Sequence, residues 1–76
     1  MLFSRVGRHR EAVELAQREC EVTPQAPAAF NNLGNALKGA QKRDEAIAAF
    51  RRALELDPQF ALARNALLAM GVQPWR

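Results

Sequence analysis

Slid against itself by 34 residues, the sequence pairs nine identical residues among 42 aligned positions, among them Pro24 with Pro58 and the run Glu11-Ala12 with Glu45-Ala46. Arg18, Glu21, Gln25, Ala29, Asn31 and Leu33 likewise fall on Arg52, Glu55, Gln59, Ala63, Asn65 and Leu67. Val13 meets Ile47, Cys20 meets Leu54 and Val22 meets Leu56, so the apolar pattern repeats with the identities. A tandem unit of this size buries its apolar face against the next unit rather than around one centre. With 76 residues, the chain holds one small domain of about two such units.

About one residue in five is Ala, the best helix former, and β-branched residues are too scarce to cover a pleated sheet. The unit is therefore helical. Phe30, Leu33, Leu37 and Ala40 recur at the spacing of one helical face, and Ala46, Ile47, Phe50, Ala53 and Leu54 form a second stripe. Asp44 and Glu45 suit the positive end of that second helix. Gly39, Gln41 and Lys42 read as the turn between the two.

Thr23-Pro24 and Asp57-Pro58 each place an N-cap residue before a Pro at a first helical position, so each is expected to close one hairpin and open the next helix. The expected elements are a helical stub at 2–5 and helices over 8–22, 28–40, 43–56 and 59–70, with Gly71 as C-terminal cap and Pro74 blocking continuation. The fold class is all-α, antiparallel helix-turn-helix hairpins stacked as a short solenoid. Within the single domain 1–76, residues 1–26 form a half repeat, 27–60 a full repeat, 61–70 a C-terminal helix and 71–76 a short tail.

These features resemble the tetratricopeptide repeat. Taking Pro27 as position 1, Phe30, Leu33, Gly34, Leu37, Ala46, Phe50, Ala53 and Pro58 fall at positions 4, 7, 8, 11, 20, 24, 27 and 32 of its 34-residue pattern. The preceding half matches at Phe3, Gly7, Ala12 and Pro24 but carries Ala16 in place of the aromatic and Glu19 in place of Ala. The following partial repeat keeps Leu67 and departs at Arg64 and Leu68. The resemblance implies that the pattern residues are structural. It also implies a non-catalytic protein-protein interaction module or scaffold, binding a peptide or protein segment on a concave face lined by the first helix of each repeat.

On this chain that face is expected to carry Asn31, Asn32, Asn35, Lys38 and Asn65, with Ala28, Gly39, Leu62, Ala66 and Ala69 around them. Asn is a poor helix former, and its amide both donates to and accepts from an extended peptide backbone. Asn32 stands at position 6, where the arrays of O-GlcNAc transferases place an Asn ladder. The carboxylate clamp of some co-chaperones is not expected, because Leu62 and Ala66 occupy its cationic positions. Solvated Asn side chains without a ligand are the plain alternative.

The net charge is +3. Arg5, Arg8, His9 and Arg10 lie about 34 residues from Lys38, Lys42 and Arg43 and could stack along one basic edge, an alternative site for nucleic acid or an acidic ligand. No aromatics are interleaved with these cations, which makes nucleic acid the weaker partner. Catalysis has little to draw on. Ser4 and His9 are five apart without a fixed acid, Cys20 has no basic partner, and one Cys with one His cannot build a metal site. Neither cofactor nor metal is expected.

No apolar run approaches a membrane span, and a cytoplasmic location is the simplest expectation. Leu2, Phe3, Leu62, Leu68 and Trp75 make both ends of the stack apolar. Exposed apolar ends favour self-association as a homodimer or homo-oligomer, or continuation into a longer array; Met1 would fall at position 9 of a repeat.

Overall fold

The structure is a computed structural model and describes residues 3–74. Those residues form four helices, α1 Phe3–Val22, α2 Pro27–Gly39, α3 Arg43–Leu56 and α4 Ala61–Ala69, and no strand. Short turns make successive helices antiparallel. Contacts run between α1 and α2, most extensively between α2 and α3, and then between α3 and α4. The result is the expected all-α stack of hairpins.

The closest packing is at Gly34. A Cβ on this residue would lie 2.6 Å from Cε1 of Phe50, so only hydrogen leaves room for the ring between α2 and α3. Phe50, Ala46, Ala53, Ala63 and Leu67 lose all contact with solvent, and Leu37, Ala49 and Leu54 complete the buried core. Phe30, Leu33, Ile47 and Phe60 pack around it. Small Ala residues bring the helix axes together, while the one large ring fills the remaining space.

The turns depart from expectation in instructive ways. Thr23 and Asp57 do not cap the following helices; α2 begins after Ala26 and α4 after Phe60. Instead, the Ala26 amide donates to the Thr23 carbonyl at 3.1 Å and the Phe60 amide to the Asp57 carbonyl at 3.0 Å, closing two equivalent four-residue turns. Pro24 and Pro58 thus hold the second position of a turn, where their fixed φ is already correct. The Thr23 hydroxyl turns back to donate to the Glu19 carbonyl at 2.8 Å, and Asp57 Oδ1 accepts from the Gln59 amide at 3.1 Å.

Helices α2 and α4 end alike. Lys42 and Val72 amides donate to Leu37 and Leu67 carbonyls, and Gln41 and Gly71 amides to Lys38 and Leu68 carbonyls, the paired bonds of a Schellman end. This motif needs a left-handed residue just past the helix. Gly71 meets that need at φ 75°, as expected, but in α2 the residue is Gln41 at φ 66°, while Gly39 remains helical.

Two further corrections concern the ends. The expected break between the stub at 2–5 and the helix over 8–22 is replaced by one continuous α1 from Phe3, since a glycine costs only about 1 kcal/mol in a helix interior. At the other end, the α4 tail is less open than its composition implies. Met70 and Val72 pack against the core, and Leu67 is fully buried. Arg43 donates to the Met70 carbonyl at 2.6 Å and Arg51 to the Gln73 carbonyl at 3.2 Å, tying that end to α3.

Candidate protein-interaction groove

By the 34-residue shift, α1 stands to α2 as α3 stands to α4. On α1, Ala12, Leu15, Ala16 and Glu19 recur along one side and meet Asn32, Asn35 and Ala36 of α2 across a shallow groove. Toward the turn at Pro24 the groove continues over Leu15, Arg18, Glu19, Val22 and Ala28. Leu15 is 62% exposed and Val22 79%. The floor is mostly apolar, and the Asn amides stand on the α2 side.

The expected site residues divide. Asn32 and Asn35 are exposed and share this groove, one turn apart on α2. Lys38 is also exposed but stands at the other end of α2, beside Gln41, Arg43 and Met70. Asn65 is exposed on α4. Asn31 is not on an open face: it is buried, one turn before Gly34, and its Oδ1 accepts no hydrogen bond among the described residues. Its spacing of three from Gly34 is the sequence signal for that burial.

Of the residues expected for self-association, Leu62 and Leu68 are exposed on α4. Leu2, Trp75 and the side chain of Phe3 lie outside the described residues. Leu15 and Val22 were not among the sequence candidates. The 34-residue shift contains their signal, since it sets Leu15 on Ala49 and Glu19 on Ala53, and both Ala residues are buried under α2.

The basic edge is only partly assembled. His9 lies against Gly39, which brings the middle of α1 to the end of α2. Arg43, however, is engaged with the Met70 carbonyl, and Arg8, Arg10 and Lys42 are separately solvated. The pair Arg52–Glu55 forms at 2.9 Å, while Arg18 and Glu21 make no such pair among the described residues. The Arg52 guanidinium also sits 5.8 Å from the centre of the Phe30 ring, worth about 0.5–1 kcal/mol at an exposed position.

Cys20 is buried, as its match to Leu54 implied. Burial pushes its thiol pKa up, and the neighbouring Glu19 and Glu21 carboxylates push the same way, so it is a poor nucleophile. Among the described residues no group of three His, Cys, Asp or Glu side chains is placed to hold a metal ion, and no helix is long and apolar enough to cross a membrane.

Comparison with known proteins agrees with this architecture. The tetratricopeptide repeat profile matches residues 27–60, the hairpin of α2 and α3 with its closing turn. The chain is also 30% identical over 67 residues to the small glutamine-rich tetratricopeptide repeat-containing protein 2 of Mycosarcoma maydis, covering 88% of this chain and 19% of that protein. No solved structure matches significantly. With Gly34 seated on Phe50 at the pattern positions, residues 27–60 are a tetratricopeptide repeat.

Proposed function

We propose that this chain is a non-catalytic protein-protein interaction module that holds a segment of a protein partner along the α1–α2 groove, on the face that also carries Lys38 and Asn65. The observation that carries the reading is the pairing of exposed apolar groups, Leu15 and Val22, with the Asn32 and Asn35 amides across one groove. Apolar contact supplies the driving force, and the amides supply donors and acceptors that match backbone without demanding a particular sequence. Asn31 has no part in contact, because its side chain is inside.

The test is substitution of Asn32 and Asn35 together by Ala, with affinity measured for partners captured on the wild-type chain. A loss of about tenfold, the equivalent of one or two hydrogen bonds, is expected. Unchanged affinity for every partner would remove the groove from the reading. Self-association through the apolar ends is part of the same proposal and is favoured by the exposed Leu62 and Leu68 on α4.

A further inference from the structure

Helix α4 begins 34 residues after α2 but ends only 30 after it, one turn short. The chain then reverses at Gly71 and returns along α3 without regular structure: Met70 and Val72 pack on the core, and Pro74 is buried. Two guanidiniums of α3 hold its backbone, Arg43 donating to the Met70 carbonyl and Arg51 to the Gln73 carbonyl. They stand eight residues apart with Ile47 midway, which places them on one face of α3 about 12 Å from each other. We propose that residues 70–74 are a strap that keeps α4 docked on α3, and that an acidic segment of a protein partner releases it by taking Arg43 and Arg51.

The need for a strap comes from α4 itself. A helix of nine residues is not stable alone in water, and α3 packs less extensively on α4 than on α2. Yet Ala63 and Leu67 of α4 are fully buried. The segment that follows the helix supplies the rest of its attachment. Opening free energy follows local packing, so α4 and the strap open as one unit, ahead of the α2–α3 hairpin, and bring those two side chains to solvent.

The chemistry of the two ties makes them replaceable. Both come from exposed side chains and end on neutral carbonyls. The one ion pair among the described residues is Arg52–Glu55, and it occupies the carboxylate one turn beyond Arg51. A carboxylate brings the opposite charge and accepts two parallel bonds from one guanidinium, where each carbonyl here accepts one. Carboxylates four residues apart on an extended segment point to the same side and span about 13 Å, the reach from Arg43 to Arg51. The pair is also particular to α3, since the 34-residue shift places His9 and Gln17 at the same positions of α1.

Hydrogen exchange of the full chain reads the strap directly, with the amides of α4 as reporter and those of α2 as the control on the fold. Arg43→Gln together with Arg51→Gln is expected to speed exchange in α4 about tenfold, the loss of one or two hydrogen bonds, and to leave α2 unchanged. A synthetic peptide with two Glu four residues apart, at millimolar concentration, is expected to speed α4 exchange severalfold in the wild type. Its Gln counterpart at the same ionic strength does not, and the Glu peptide adds nothing to the double variant. Replacing Asn32 and Asn35 leaves the response intact, which separates the strap from the groove.

Exchange in α4 that ignores the loss of both guanidiniums, a Glu peptide that acts no differently from its Gln counterpart, or a peptide effect that persists in the double variant would each overturn the proposal. So would α2 and α4 quickening together in that variant, because the arginines would then support the whole fold and not a strap.

Discussion

Helices α1 and α3 hold the same place in the repeat and share Glu, Ala, Arg and Glu at equivalent positions, yet α3 buries five residues where the described part of α1 buries two, Ala16 and Cys20. The difference is in what covers them. Helix α3 lies between α2 and α4, so Ala46, Ala49, Phe50 and Ala53 are enclosed. Helix α1 has substantial contact with α2 alone, and the equivalent Ala12, Leu15 and Glu19 face outward. A carboxylate at the place of Ala53 would be buried without a partner, whereas Glu19 on α1 is exposed.

That comparison can be broken most forcefully at its central position. Phe50→Ala removes a fully buried ring and should cost about 3–5 kcal/mol, a large part of the stability of a chain this small. The equivalent change on α1, Ala16→Gly, should cost about 1 kcal/mol, mainly helix propensity. Thermal melts of the two variants would show the asymmetry as a large and a small fall in Tm. Equal falls would mean that α1 is as enclosed as α3.

A smaller effect is expected at the helix that covers α3. Gly34→Ala pushes a methyl group into the Phe50 ring. Overpacking costs about 1–3 kcal/mol and the gain in helix propensity returns about 1, so the net loss should be about 0–2 kcal/mol in urea titration. Leu68→Ala, at the equivalent place in α4, should change monomer stability by no more than about 0.5 kcal/mol, since that side chain is 53% exposed.

The two Schellman ends offer an improvement. Gln41→Gly should stabilise the chain by up to about 1 kcal/mol, because a residue with a Cβ pays to hold φ 66°. Gly71→Gln, the converse exchange at the end of α4, should cost a similar amount. The smallest effect belongs to Leu15→Gln. It should leave the melting of the monomer within about 0.5 kcal/mol of wild type and act instead on partner affinity.

Much of the fold was legible because punctuation and periodicity agreed. Helix α3 runs over Arg43–Leu56 as the stripe from Ala46 to Leu54 and the acidic first turn predict. What was misread depended on tertiary context. Gly7 reads as a turn only if a first helix folds back at that point; the described chain instead continues as one helix from Phe3. Thr23 and Asp57 have the chemistry of an N-cap but lie one turn too early, their amides already donating to Glu19 and Ala53 carbonyls at the end of the previous helix.

The site was legible in part. Asn32 and Asn35 follow from the repeat pattern, whereas Asn31 shares their residue type but stands one turn from the buried Gly34. The apolar half of the groove is not legible, because an exposed Leu or Val looks the same in sequence as a buried one. Only comparison with Ala49 and Leu56 in the complete repeat separates them.

Cys20, described above as a poor nucleophile, has a use because of that. It is the chain's single thiol, shielded in the helix that has only one substantial neighbour. A thiol reagent can reach it only when α1 lifts away, so the labelling rate is a stopwatch on the opening of that end alone, with the α2–α3 hairpin silent. Run at rising protein concentration, the same stopwatch would slow wherever another helix closes over α1, and it needs no engineered cysteine.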